Sequence, residues 1–161
     1  MKTYFRTSLA ALVVIGANTM WEIGVSADQS SDAAATRGVT EAMNASADAW
    51  NHGDLDGFMT GYLNSPKTSY ISGSTEVWGY QALRDRYEKR FGSNHETMGK
   101  LTFSDLKVFD LGKSHALCIG HWHLERASAS PSGGVYSLVL VKTKAGWKVI
   151  HDHTSTTEES K

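Results

Sequence analysis

The sequence predicts an α+β domain, with helices packed on one face of a curved, mainly antiparallel sheet. Three observations carry this. Apolar residues recur at helical spacing in the first half of the chain, the second half changes to period-two alternation, and short turn signals separate the later segments.

Val39, Met43, Ala47 and Trp50 stand at i, i+4, i+8 and i+11 and place one apolar stripe on a first helix. The stretch "NHGD" (Asn51 to Asp54) ends it, and Asp54 can cap a second, short helix whose face is Leu55, Phe58, Met59 and Tyr62. "TSYIS" and "TEVWG", separated by Gly73-Ser74, read as two short strands. A third helix sets Tyr80, Leu83, Tyr87 and Phe91 along one side, leaving Arg84, Asp85, Glu88 and Lys89 to face water. Four β segments follow. In the first, Leu101 and Phe103 point opposite to Leu106 and Val108, which predicts a β-bulge near Ser104-Asp105. In the second, Ala116, Cys118, Gly120, Trp122 and Leu124 alternate against Leu117, Ile119, His121 and His123. "ASASPSGG" reads as a turn into "VYSLVLVKT", and "KAG" as a tight hairpin into "WKVIHDHTS".

The amino terminus carries Lys2 and Arg6, the apolar run Leu9 to Ala17, and a small-residue site at Val25-Ser26-Ala27. These are the parts of a secretory signal peptide, and the apolar run is well short of the roughly 20 residues needed to span a bilayer. The expected organisation is a signal peptide at 1–27, a flexible lead at 28–33, one folded domain at 34–155 and a polar tail at 156–161. The product would be exported, to the periplasm or the cell exterior, with no membrane partner after cleavage. A net charge of −1 gives no electrostatic case for nucleic acid. Cys118 is the only cysteine, so no intrachain disulfide forms, and its apolar setting reads as core. No glycine-rich nucleotide motif, phosphate loop, paired-cysteine motif or supported Ser/His/Asp pattern is present, and no cofactor is expected.

The order of elements, the break Trp50-Asn51-x-Gly53-Asp54, Gly79 opening the third helix, "LTFSDLKV", "GHWHLER" and above all "GWKVIHDHTS" resemble the SnoaL-like, nuclear transport factor 2-like superfamily. The last strand is similar to that of the calcium/calmodulin-dependent protein kinase II association domain and its exported bacterial relatives. The resemblance implies a cone, with three helices on the concave face of the sheet around a pocket, and an outer sheet face that supports a homodimer. It does not imply one reaction, because the superfamily includes isomerases, dehydratases, cyclases and non-catalytic assembly modules.

The His-x-His pairs are the most chemical feature of the sequence. In a strand His121 shares a face with His123, and His151 with His153, so each pair presents two imidazoles. Three readings stand side by side. As acid–base groups, His151 and His153 would act with Tyr62 as hydrogen-bond donor, in a cofactor-independent isomerase, dehydratase or cyclase. As polar contacts, His121, His123, His151 and His153 would join Trp50, Tyr62, Trp78 and Tyr87 in binding a small, partly apolar ligand. As sheet histidines, they would serve only a dimeric association module. The same four are weak metal candidates, and no metal is assigned. Asp152 alternates away from His151 and His153 in a regular strand.

Overall fold

The computed structural model describes residues 21–127 and 129–157. The body of the expected signal peptide, residues 1–20, lies outside the described residues, as do 158–161 of the tail. Helix α1 (Trp21–Asn51) is followed by α2 (Leu55–Met59), strands β1 (Ser69–Ser72) and β2 (Thr75–Trp78), α3 (Tyr80–Phe91) and the single turn α4 (His95–Met98). Strands β3 (Lys100–Asp110), β4 (His115–Arg126), β5 (Ala129–Thr143) and β6 (Gly146–Thr154) complete the chain.

The six strands form one sheet in the order β2-β1-β6-β5-β4-β3. β3 to β6 are the expected antiparallel meander, and β1 joins its free edge by pairing parallel to β6, with Tyr70 opposite Asp152. The first helix buries its predicted stripe, with Ala35, Val39, Met43 and Trp50 all in the core and Ala47 half-buried. It packs chiefly on β3. The helix can lie this close to the sheet because Gly38 faces the Trp147 ring, where an added Cβ would fall 2.6 Å from Nε1.

Two expectations are corrected. Residues 28–33 are not a flexible lead but part of α1; Ala33-Ala34-Ala35 favour propagation of the helix into this exposed stretch. "ASASPSGG" is largely strand, because Ser132 and Gly133 pair with Leu124 and His123 of β4. Pro131 is tolerated there because β6 ends opposite Tyr136, so no ladder on that side needs its missing N–H. The predicted bulge is present: the β3–β4 register shifts between Ser104 and Lys107, with Asp105 at φ 54°.

Gly53 closes the α1–α2 turn at φ 73°, and a Cβ there would meet the His95 backbone nitrogen of α4 at 2.1 Å. Gly73 has a similar φ of 57° with nothing within 4 Å. Gly73→Ala is therefore expected to cost about 1 kcal/mol, from backbone conformation alone. Gly53→Ala should cost measurably more, because the overlap can be relieved only by moving α4. Urea denaturation of both variants checks this, and equal costs would contradict the close packing.

Candidate functional site

Helices and sheet enclose a cavity of about 110 Å³. That is the order of the engineered apolar cavities that admit a benzene-sized molecule. One wall is aromatic: Trp50 stands edge-on to Phe58 (4.9 Å between ring centres) and Phe91 (5.0 Å), and Phe58 edge-on to Tyr87 (5.1 Å). Such edge-to-face contacts fix ring orientations as well as burying area. The opposite wall is the concave sheet face, including Phe103, Leu124, Tyr136 and Asp152.

Among the described residues Asp152 is the one carboxylate in the cavity wall, and it is buried. Its Oδ2 accepts a hydrogen bond from the Tyr62 hydroxyl at 2.7 Å, and its Oδ1 one from the Thr154 hydroxyl at 2.6 Å. Since the Tyr62 proton is committed to Asp152, the 3.1 Å contact between the Tyr62 and Tyr87 hydroxyls is one in which Tyr87 donates. The result is a directed chain, Tyr87 to Tyr62 to Asp152. Burial pushes the Asp152 carboxyl above the usual carboxylate range, an effect the bonds from Thr154 and Tyr62 and the more distant His151 and His153 partly offset. Burial, followed by the charge of Asp152, drives the Tyr62 phenol well up. The same two causes act on Tyr87. Among the described residues no lysine or arginine forms an ion pair with Asp152. An apolar cage therefore holds a carboxyl biased toward its neutral form, which can donate a proton or a hydrogen bond as well as accept one.

Tyr62 reaches this position by leaving its helix. The stripe Leu55, Phe58, Met59, Tyr62 is buried as predicted, but α2 stops at Met59 and the chain then runs alongside β6, where Val149 N–H donates to Gly61 O and Leu63 N–H to Val149 O. Asp54 caps α2 by accepting from Gly57 N–H at 2.8 Å.

Asp152 reaches the cavity through a bulge. In β6, Trp147 and Val149 point inward and are buried, so regular alternation would turn His151 and His153 inward as well. The β5–β6 register instead shifts between Leu140↔Val149 and Val139↔His151, leaving Ile150 as the extra residue. Beyond it the phase is inverted: Asp152 and Thr154 face the cavity and both histidines face out.

Of the residues read from the sequence as site candidates, Trp50, Tyr62 and Tyr87 stand together in the cavity wall. The four histidines and Trp78 do not. His151 Nδ1 bonds the Ser69 hydroxyl at 2.8 Å, and His153 is exposed. His121 lies 3.3 Å from Asp105 and His123 3.3 Å from Glu125, all on the outer face. Among the described residues no group of three or more His, Cys, Asp or Glu is placed to hold a metal ion. Trp78 is 60% exposed because it is paired with Ser69 on the outer face, while Val77, paired with Tyr70, packs inward. Phe58, Phe91, Phe103, Leu124, Tyr136 and Thr154 are among the wall residues that the sequence reading did not single out for the site, and Asp152 is one that alternation alone did not turn inward.

The SnoaL-like domain family matches residues 39–158. Among solved structures, an NTF-2-like protein of unknown function from Shewanella oneidensis MR-1 is 28% identical (TM-score 0.69), the match covering 74% of this chain and 98% of that one. A ketosteroid isomerase-like protein from Erwinia carotovora atroseptica is 17% identical (TM-score 0.59; 74% and 94% covered). A putative calcium/calmodulin-dependent protein kinase II association domain from Xanthomonas campestris is 16% identical (TM-score 0.59; 76% and 87% covered). The last two are similar in fold alone. No curated protein matches the chain. The family match takes in Trp50, Tyr62, Tyr87 and Asp152, and with it the chain belongs to the SnoaL-like domain family.

Proposed function

We propose that the chain binds a small, partly apolar molecule in its conical cavity, with the Tyr87–Tyr62–Asp152 chain as the polar contact. The observation that carries this is a buried carboxyl, paired with no lysine or arginine among the described residues, at the wall of an aromatic-lined cavity. A ligand hydroxyl or carbonyl is the partner such a group lacks. p-Cresol, a ring with one hydroxyl, is a suitable probe. Titration calorimetry on the full chain should show it binding, with affinity lowered about tenfold in Tyr87→Phe and unchanged in His153→Ala. Failure of p-cresol to bind, or indifference to Tyr87→Phe, would sink the reading.

A second reading is favoured by the raised Asp152 carboxyl itself: a cofactor-independent isomerase, lyase or cyclase in which Asp152 moves the proton and the tyrosine chain steadies developing charge. In this version the acid–base role passes from His151 and His153, which face away, to Asp152.

The proposal extends to assembly and export. The outer sheet face carries Phe109, Ile119 and Val135, each more than a third exposed, beside the four histidines. Such a face suits an isologous homodimer. Ile119→Glu with Val135→Glu should convert a dimer to monomer in sedimentation velocity; an unchanged mass would rule this face out. Export would remove residues 1–27 and shorten α1 ahead of Ala35, the first core side chain among the described residues. Amino-terminal sequencing of exported protein should read from Asp28.

A further inference from the structure

Resting on the cavity reading above, we propose that the ligand is an organic acid, an aromatic or alicyclic carboxylate whose anion lies at the rim between Arg90 and Arg126 while its ring enters the aromatic cage. The guanidinium of Arg90, itself a lining residue, stands 5.3 Å from the centre of the Phe91 ring. That of Arg126 stands 5.4 Å from the same ring, and Arg86 lies 5.4 Å over Tyr70. Phe91 and Tyr70 both line the cavity, so three cations stack on its aromatic rim.

None of the three makes an ion pair among the described residues. The acids nearest in sequence are taken elsewhere: Asp85 accepts from Gln81 at 2.7 Å, Glu88 pairs with Arg84 at 2.9 Å, and Glu125 lies 3.3 Å from His123. A guanidinium stacked on a ring is held in position yet keeps its in-plane N–H donors, the fork that matches a carboxylate. Two such groups on one ring repel each other, and an anion between them relieves the repulsion. The Asp152 end of the cavity imposes the opposite preference, since a carboxylate there would face a buried carboxyl. The site therefore orients a two-ended ligand, with the anion at the rim and a neutral hydroxyl or carbonyl toward Tyr87 and Asp152.

Titration calorimetry on the full chain with 4-hydroxyphenylacetate, its amide and p-cresol tests this. The acid should bind about tenfold more tightly than the amide. In Arg90→Gln with Arg126→Gln that advantage should vanish while p-cresol affinity is kept, which also shows that the variant cavity is folded. Added salt should weaken the acid and leave p-cresol unaffected. An acid no tighter than its amide, or an advantage that survives in the double variant, overturns the inference while p-cresol binding leaves the cavity reading standing. If none of the three binds, both fall.

Discussion

Replacing Trp50 by alanine is expected to cost about 3–5 kcal/mol of folding stability, the range for removing a large aromatic from a core. Trp50 is 2% exposed and is the hub of the aromatic wall, edge-on to Phe58, Tyr87 and Phe91. Its indole N–H also donates to Met98 O at 3.1 Å, which ties α1 to the single turn α4 across 48 residues of sequence. Alanine removes ring volume, edge-to-face contacts and that donor together. Trp50→Phe separates them: it keeps most of the volume, leaves the Met98 carbonyl unsatisfied, and should cost about 1–3 kcal/mol. Urea midpoints at unchanged slope report both numbers. A Trp50→Ala cost below about 1 kcal/mol would mean that the wall is not packed as described.

Asp152→Asn should change the pH dependence of stability and, if the chain is an enzyme, abolish most of its turnover. Burial raises the folded carboxyl above its value of about 3.9 in the unfolded chain, so over that interval the folded state holds the proton more tightly. Stability from this group is therefore intact below about pH 4 and is lost progressively as pH climbs through the raised folded value. Asparagine keeps the size and cannot ionise. The difference between variant and wild type should accordingly move in favour of the asparagine variant as pH rises, then level off where the folded carboxyl has ionised. A flat difference, or one of opposite slope, would show that Asp152 ionises without penalty. With a substrate in hand, loss of a general acid–base group predicts a fall in turnover of about 10²- to 10⁴-fold at saturating substrate, well beyond any loss of p-cresol affinity. Turnover unchanged by the substitution would leave only the binding reading.

Much of the fold was legible because burial is periodic where helices and strands meet one core. The stripes of α1 and α2 and the inner face of β4 are apolar at the positions that the structure buries. The bulge in β3 was visible because Leu106 and Val108 change phase with respect to Leu101 and Phe103. The bulge in β6 was hidden. After Val149 the residues that follow Ile150 are polar on both faces, so no apolar side chain marks the inversion, and simple alternation sends His151 and His153 inward instead of Asp152. Parallel pairing of β1 with β6 was equally out of reach, since 69–71 and 151–153 meet only through the tertiary fold. The site was thus half legible: its aromatic wall follows from helix periodicity, whereas its carboxyl depends on a register that only the pairing reveals.

That hidden register has a chemical meaning. Were Ile150 drawn into the ladder instead of bulging from it, the meander, the strand order and the aromatic wall would stay in place, yet regular alternation would rotate two imidazoles into the cavity and turn the carboxyl out to solvent. The cavity would then present a pair of imidazoles in place of a single buried acid, through a shift of one residue in the pairing. One bulge thus decides which group the cavity presents, while the walls around it stay as they are.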